Sequence, residues 1–432
     1  MFFFSILFLE HPTVSMLKSK YSPQLLNAIF LVAGTCIGGG MLALPVATCQ
    51  IGFFPSLVVM TAAWIAMTCT ALYLVEVGFW MKKDDAHLIS MTSQILGKSG
   101  KIVSWFLYLF ICYASLVAYT AGAGHLISKV SLLLLPFELT KDTGCLIFMA
   151  LFGPAIFLSH KLLGKVNSLL FLAMIAAYIL IIGFSIPEVK LEYLYRKEWS
   201  ITWLALPLLL TSFSFQTMVP SLHPYLDHHA PSLKMAIICG TSLAFLVYLI
   251  WQLIVLGTIP LQGPDGLAVA LQKGEAATHY LGAHVKNYWI DMAAQFFAFF
   301  ALVTSFFGIS LGLYDFLSDG LRIKKKGMGS ITLSALIIAP TLFFAVTYER
   351  IFILALDASG GFGDAILNGI MPILMVWIGR YYLKKTNSSL RVFGGKPLLV
   401  TLLIFYLGAL VLEVCMRLGH AASITDLTSL SQ

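Results

Sequence analysis

Long apolar segments dominate this sequence, and they constrain its fold more than any other feature. We predict eleven segments that are long enough to cross about 30 Å of hydrocarbon. In lipid each segment has to satisfy its own backbone hydrogen bonds, and a helix does so. The sequence therefore predicts an all-α integral membrane protein with spans at 24–48, 53–80, 102–127, 144–159, 166–187, 200–222, 233–259, 288–317, 329–347, 351–379 and 397–416.

The charged residues support this prediction and indicate an orientation. Only 11% of the 432 residues are charged, whereas a soluble domain carries about 25%. Most of the 27 basic residues fall on one side if the N-terminus is cytoplasmic, as the preference of Lys and Arg for cytoplasmic loops requires. Residues 1–23 then form a cytoplasmic segment, and a tail at 417–432 lies outside.

Other features of the composition exclude several classes of protein. The net charge of +7 comes from the loops, with no separate basic face of the kind that binds nucleic acid. The seven cysteines are scattered through apolar segments, and no two have the spacing of a metal site. We therefore predict reduced core cysteines, no metal and no nucleic-acid partner.

A run of glycines interrupts the first span in its middle. Lipid cannot hydrogen-bond a loosened backbone, so such a break is expected only where it lines a cavity inside the protein. Free amides and carbonyls at a broken helix bind small charged molecules, which indicates a transporter. The alternative is that these glycines only let helices pack closely. The binding residues predicted here are Gly34, Thr35, Gly38, Gly39 and Gly40.

The sixth span carries a second interruption. Hydroxyl residues, an amide and Pro220 break its apolar pattern between Thr211 and Ser221. Interruptions at corresponding places in spans 1 and 6 are typical of an inverted repeat. We therefore predict a first repeat at 24–187 and a second at 200–379, with the span at 397–416 outside the repeat and the substrate between the two breaks.

These motifs resemble those of the aromatic amino acid permeases, a branch of the amino acid–polyamine–cation superfamily, and most closely the tyrosine-specific permeases. The resemblance runs from about Leu26 to Leu383, with its strongest stretches at 33–45, 72–77, 118–124, 209–222 and 304–321. It implies a LeuT-like fold of five plus five spans and an eleventh span. It also implies proton-coupled import of tyrosine or tryptophan across a bacterial inner membrane.

The sequence departs from the family pattern at several places. Ser214 and Gln216 stand where relatives usually have a glycine and then a histidine, and His125 stands where a glutamate is common. Met174 occupies a position in span 5 where several members carry a lysine that could carry a proton. The coupling ion therefore stays open between proton and sodium.

An amino acid substrate has three parts that need partners. Its carboxylate suits the amides from Gly38 to Met41, at the positive end of a half-helix. Its ammonium suits carbonyls freed near Ala33–Gly34 and Thr211–Ser212. An aromatic ring needs flat apolar walls, and Gln216 could bond a phenol hydroxyl or indole N–H. The residues predicted at these positions in span 3, span 6 and span 8 are Tyr119, Thr211, Ser212, Phe213, Phe215, Gln216 and Ser305, with Thr304 as the alternative to Ser305.

Proton coupling needs a titratable group inside the membrane. A charge there costs about 2.5–3.5 kcal/mol on insertion scales, so each carboxylate is a candidate. Glu76 is the leading candidate and Asp357 the second, with Asp364 about two turns deeper. The alternatives are an interfacial anchor for Glu76 and vestibule charges for the two aspartates.

Other classes of protein are less consistent with the sequence. It has neither a nucleotide-binding loop nor a hydrolase motif, so we predict that it is not an enzyme and needs no cofactor. The function predicted is import of an aromatic amino acid, with tyrosine favoured over tryptophan. A sensor that binds an amino acid without transporting it is the alternative from another class.

Overall fold

The computed structural model describes residues 22–81, 88–134, 136, 139–154, 160–285, 288–348, 350–385 and 390–419. Within these ranges the protein is helical and contains no strand. Nearly all of the predicted N-terminal segment 1–23, and the predicted tail 417–432 from residue 420 onward, lie outside the described residues.

The first half of the chain begins with a broken span. Two helices, bent by 50° relative to each other, together cover the first predicted span. The helices of this half are α1 (Ser22–Cys36), α2 (Gly39–Thr48), α3 (Phe53–Gly78), α4 (Leu88–Leu134), α5 (Lys141–Phe152) and α6 (His160–Ser185).

The second half contains two further interrupted spans. Short helical turns follow α6, namely 3₁₀ turns at Ile186–Glu188 and Thr202–Ala205 and the helix α7 (Leu191–Leu194). The remaining helices are α8 (Leu206–Ser212), α9 (Val219–Tyr225), α10 (Ala230–Thr258), α11 (Leu267–Lys273), α12 (Thr278–Val285), α13 (Tyr288–Leu321), α14 (Met328–Thr347), α15 (Ile351–Ala358), α16 (Met371–Tyr381) and α17 (Gly395–Arg417).

Ten of the eleven predicted spans have a counterpart of membrane length. Among the residues that the structure describes, nine are apolar helical stretches, two of which contain an interruption, and the tenth is the bent pair α1 and α2. The exception is the predicted span 144–159, where α5 ends at Phe152 and residues 155–159 lie outside the described ranges. The chain is therefore an all-helical integral membrane protein.

Both predicted breaks are confirmed. The first begins at Ile37, after α1, and α2 starts again at Gly39. The second separates α8 from a 3₁₀ turn at Gln216–Met218, which leads into α9. Pro220 lies in the first turn of α9, where its missing N–H costs no helical hydrogen bond. It therefore starts the second half-helix of this span.

A third interruption lies between α15 and α16. Residues Ser359–Ile370 form a π-helix that packs against α8 and α17. Its glycines permit this close approach, because a Cβ at Gly360 would collide with the carbonyl of Pro207 and a Cβ at Gly369 with the ring of Tyr406. Wide helical turns of this kind are rare and frequent at functional sites.

We expect Gly360→Ala to destabilise the protein by about 1–3 kcal/mol, the usual cost of overpacking a core. The matched control is Gly408→Ala in α17, where an added Cβ meets no atom within 4 Å among the described residues. The control should be neutral or slightly stabilising, because alanine favours helix. Melting in detergent measures both, and equal melting temperatures would contradict this packing role of Gly360.

Candidate functional site

The two breaks in spans 1 and 6 meet inside the protein. A Cβ at Gly40 would lie only 3.0 Å from Cα of Ser212, so the backbones of α2 and α8 are in direct contact. A side chain at this position would require the two half-helices to move apart by a few tenths of an ångström. The structure thus brings together the two segments that the sequence predicted as one binding site.

Tyr248 of α10 bridges the two breaks. Its hydroxyl oxygen lies 2.5 Å from the carbonyl oxygen of Cys36 and 2.6 Å from that of Ser212, at the ends of α1 and α8. One hydroxyl hydrogen serves two acceptors, so these carbonyls keep capacity for another donor. Trp251, one turn further along α10, donates to the carbonyl of Met41 at 3.0 Å.

Tyr248 and Trp251 were not among the residues predicted from the sequence. Both are fully buried in α10, a span in which no site residue was predicted. Their polar atoms could have been noticed in the sequence, because the run Tyr248-Leu-Ile-Trp251-Gln252 lies inside an apolar segment. Buried phenol and indole groups usually find a hydrogen-bond partner, so this run indicated bonds to another part of the protein.

Gly34 and Thr35 lie inside α1, two residues before the break. A Cβ at Gly34 would be 2.9 Å from the ring of Phe171, so this glycine allows helix packing, as the alternative interpretation proposed. The Thr35 hydroxyl donates to the carbonyl of Leu31 at 2.7 Å. The predicted carbonyl of Ala33 accepts from Ile37 N at 2.9 Å. The carbonyl of Ala33 is therefore not free and this part of the prediction is wrong, whereas the part that concerns the carbonyl of Gly34 stays a prediction.

The remaining glycines mark the start of α2. The amide of Met41 donates to Gly38 O at 3.0 Å, whereas the amides of Gly39 and Gly40 belong to a first helical turn and lack helical acceptors. A Cβ at Gly38 would collide with the hydroxyl of Ser305, and one at Gly39 with the ring of Tyr119. Ser305 from α13 and Tyr119 from α4 thus lie beside these two glycines, and their contact with a substrate stays a prediction.

The aromatic side chains predicted to surround the substrate ring in span 6 are buried inside the protein. Phe213 is fully buried and its ring centroid lies 5.0 Å from that of Tyr248. Phe215 is also buried. Thr211 donates to the carbonyl of Leu356 at 2.6 Å, which ties the end of α8 to α15. Contact of these side chains with a substrate stays a prediction.

Gln216 joins the second break to α3. Its Oε1 accepts from the amide of Phe215 at 2.9 Å, and its Nε2 donates to the carbonyl of Met67 at 3.1 Å. The side chain is fully buried. These bonds hold the broken backbone of span 6 in place. The predicted bond from Gln216 to a substrate hydroxyl stays a prediction.

Glu76 forms a buried ion pair with Arg380, at the end of α16. Arg380 Nε donates to Glu76 Oε1 at 2.7 Å, and an Nη of the same guanidinium donates to Oε2. Oε2 also accepts from the amide of Val392 at 2.8 Å. The carboxylate thus ties α3 to α16 and to the segment before α17. Proton coupling by Glu76 stays a prediction, and it would require this pair to open.

Asp357, at the end of α15, is also paired with an arginine. Its Oδ2 lies 3.4 Å from an Nη of Arg417, whose Nε donates to Glu413 at 2.8 Å. The two carboxylates and one guanidinium connect α15 with α17. The prediction that Asp357 carries a coupling proton is likewise untested.

His125, where relatives commonly have glutamate, faces a carboxylate outside the spans. Its Nδ1 lies 3.9 Å from Oε1 of Glu275, between α11 and α12, and the Tyr280 hydroxyl donates to Glu275 at 2.6 Å. Burial would raise the pKa of Glu275, but the hydrogen bond from Tyr280 and the nearby rings of His279 and His125 outweigh burial and lower the pKa to about 2. Glu275 is therefore anionic near neutral pH.

Buried half-helix ends that face each other define a class of membrane protein that binds small charged molecules. The sequence matches the model of the tryptophan/tyrosine permease family over residues 21–414. The chain belongs to this family. Membership confirms the resemblance seen in the motifs and the prediction that the chain is a transporter and not an enzyme.

Individual relatives match along almost their whole length. The tyrosine-specific transport system 1 of Haemophilus influenzae is 31% identical over 405 residues, which cover 91% of this chain and 97% of that protein. The tryptophan-specific transport protein of the same organism is 28% identical over 425 residues, covering 95% of this chain and 100% of the relative. The tryptophan-specific transport protein of Shigella flexneri is 25% identical, covering 93% and 97%.

We expect Gln216→Leu to reduce uptake of tyrosine and phenylalanine by similar factors. The reason is that the amide is bonded to Phe215 and Met67, so its loss loosens the break for every substrate. Initial rates with each labelled amino acid measure the effect. A distinctly larger loss for tyrosine would contradict this expectation and support a direct bond to the phenol, because a site that bonds a hydroxyl rejects substrates lacking it.

We expect Arg380→Met to destabilise the protein by about 3–5 kcal/mol, because Glu76 is then left buried without its partner. The double variant Glu76→Met with Arg380→Met should recover most of this loss, since an apolar pair removes both desolvated charges. Melting in detergent measures both variants. A double variant as unstable as the single one would contradict a simple ion-pair role.

The same double variant tests the coupling role of Glu76. Substrate exchange without a gradient should persist if the fold is intact. If Glu76 carries the coupling proton, accumulation driven by a pH gradient disappears, and full accumulation would exclude Glu76 as the carrier.

Proposed function

We propose that this protein imports an aromatic amino acid by alternating access, with tyrosine as the favoured substrate and tryptophan as the alternative. The observation that carries the proposal is the contact between the breaks of spans 1 and 6, with free amides at one end and shared carbonyls at the other. The relative at 31% identity is a tyrosine-specific transport system, which favours tyrosine over tryptophan.

The geometry accounts for recognition of the amino acid part of the substrate. The carboxylate would accept hydrogen bonds from the amides of Gly39 and Gly40, at the positive end of α2. The ammonium would donate to the carbonyls of Cys36 and Ser212, which already share one hydroxyl hydrogen from Tyr248. These groups belong to the backbone, so no acidic side chain is needed at this position.

The ring would lie between side chains that surround the same point. Tyr119 and Ser305 approach the glycines from α4 and α13, and Phe213 and Phe215 follow directly after Ser212. In the present conformation the aromatic rings of Tyr119, Phe213 and Phe215 are all buried. We therefore infer that they move apart when the site opens to one side of the membrane.

The architecture that we propose is the LeuT-like arrangement of five plus five spans, followed by a further span. Interruptions in the first and sixth predicted spans support it, because such repeats carry them at corresponding positions. The proposed setting is a bacterial inner membrane with the N-terminus cytoplasmic and the C-terminus outside. The distribution of basic residues supports this orientation.

We further propose that import is coupled to protons. Several carboxylates are buried in the spans, among them Glu76, Asp364 and Glu413. A buried carboxylate is costly when charged and gains from protonation, which is the property that a proton carrier needs. Glu76 and Asp357 remain the carriers predicted from the sequence.

Counterflow in liposomes tests this function. Vesicles that contain the purified protein and are loaded with unlabelled tyrosine should take up labelled tyrosine transiently, because a carrier exchanges substrate across the membrane. Empty vesicles are the control. Binding without counterflow would indicate a sensor. Competition by unlabelled tyrosine, tryptophan, phenylalanine and leucine ranks the substrates, and an imposed inward proton gradient should increase accumulation.

A further inference from the structure

A polar cluster connects the π-helix to the second break. Oδ1 of Asp364 accepts hydrogen bonds from the Ser214 hydroxyl at 2.6 Å and from Nδ2 of Asn368 at 2.6 Å. Nδ2 of Asn368 also donates to Ser214 Oγ at 3.1 Å. Ser214 lies within the break of span 6, so this cluster ties the interrupted part of span 10 to the backbone that forms the substrate site.

The cluster contains a carboxylate without a counter-ion. Asp364 is fully buried, and no Lys, Arg or His lies within ion-pair distance of it in the described part of the chain. Its Oδ2 makes no hydrogen bond there, and neither do Oδ1 of Asn368 and the hydroxyl of Ser359. Each of these oxygen atoms has unused lone pairs, and Oδ2 of Asp364 is the one that can bind a proton.

Asp364 differs in this respect from the two other candidates. Glu76 is held by Arg380, and Asp357 lies next to Arg417. A carboxylate already paired with a guanidinium gains little from a proton, whereas an unpaired one in an apolar interior is strongly favoured in its neutral form. Asp357 shares its arginine with Glu413, whereas Asp364 bonds directly to Ser214 in the break of span 6. Asp364 is therefore the carboxylate best placed to link the binding of a proton to that break.

The groups that face Asp364 from neighbouring helices are neutral. Those that interact with it electrostatically are Cys112 and Tyr119 from α4 and Tyr406 from α17. Thiols and phenols carry no charge near pH 7. Glu413 on α17 bonds to Arg417. Tyr119 also approaches Gly39, so the surroundings of Asp364 and those of the proposed substrate amides share one side chain.

We propose that Asp364, with Ser214 and Asn368, is the proton-binding site that couples transport to the pH gradient; this rests on the proposed transport function. One proton from the outer solution binds the carboxylate and leaves it on the inner side in each cycle. The charged form holds Ser214 by a charge-assisted hydrogen bond, and protonation weakens that bond. The break of span 6 is thereby released from span 10 when the proton is bound.

Asp364→Asn tests the proposal in proteoliposomes. The variant keeps the shape and a neutral side chain, so tyrosine counterflow without a gradient should persist. Accumulation driven by a pH gradient, and proton uptake on adding tyrosine, should both be lost. The matched control is Asp315→Asn, which removes a half-exposed carboxylate paired with Lys325 and should behave as the unchanged protein.

The possible results distinguish failure of the proposed proton site from failure of the proposed transport function. Full pH-driven accumulation by Asp364→Asn would overturn the proposal. Accumulation by the unchanged protein that follows a sodium gradient, and is lost in Asp364→Asn, would overturn it in favour of a sodium site. Absence of counterflow in the unchanged protein would instead contradict the proposed transport function.

Ser214→Ala keeps the test decisive if Asp364→Asn does not fold. It removes one hydrogen bond that stabilises the charged carboxylate, so the pH dependence of tyrosine uptake should move to higher pH. Thr347→Ala at the end of α14, whose hydroxyl bonds only to its own helix at 2.6 Å among the described residues, is the matched control. An unchanged pH profile in Ser214→Ala would overturn the proposal.

Discussion

Satisfaction of backbone hydrogen bonds inside the membrane is the constraint on which this structure depends. Each interrupted helix exposes peptide groups that lipid cannot bond. Here polar side chains from intact helices supply the partners: Tyr248 and Trp251 of α10 bind carbonyls on both sides of the first break, and Gln216 bonds the second break to α3. The same groups satisfy only part of the exposed backbone, so the breaks keep the hydrogen-bonding capacity that the proposed binding site requires.

Glycine determines how closely these elements approach one another. Gly40 lets α2 contact the end of α8, and Gly360 lets the π-helix contact the carbonyl of Pro207 in α8. The backbone of span 10 therefore contacts α8 in its first turn, and that of span 1 contacts α8 at its last residue, Ser212, whose carbonyl accepts from Tyr248. A movement of span 10 relative to α8 would then be transmitted through direct backbone contacts to the backbone amides and carbonyls of the proposed substrate site.

The sequence predicted the features that local rules determine. The length of the apolar segments predicted the spans, the glycine run predicted the first break, and the polar residues around Pro220 predicted the second. The predicted break began at Gly34, whereas the first helix continues to Cys36. The sequence could not show this, because Gly34 packs against Phe171, which is distant in the sequence. The same limit applies to Tyr248, Arg380 and Asn368, whose roles depend on partners from other helices. The π-helix between α15 and α16 was also not predicted.

Desolvation separates the buried carboxylates into two kinds. Glu76 has its own arginine partner, so its charge is balanced, whereas Asp357 shares Arg417 with Glu413; all three carboxylates connect helices. Among the residues that the structure describes, Asp364 accepts hydrogen bonds from the neutral side chains of Ser214 and Asn368. Neutral donors reduce the cost of a buried charge without removing it, so the free energies of the charged and protonated forms are brought closer together. A group in this situation responds to a modest change in its surroundings, and the surroundings here include the break of span 6 at the proposed substrate site.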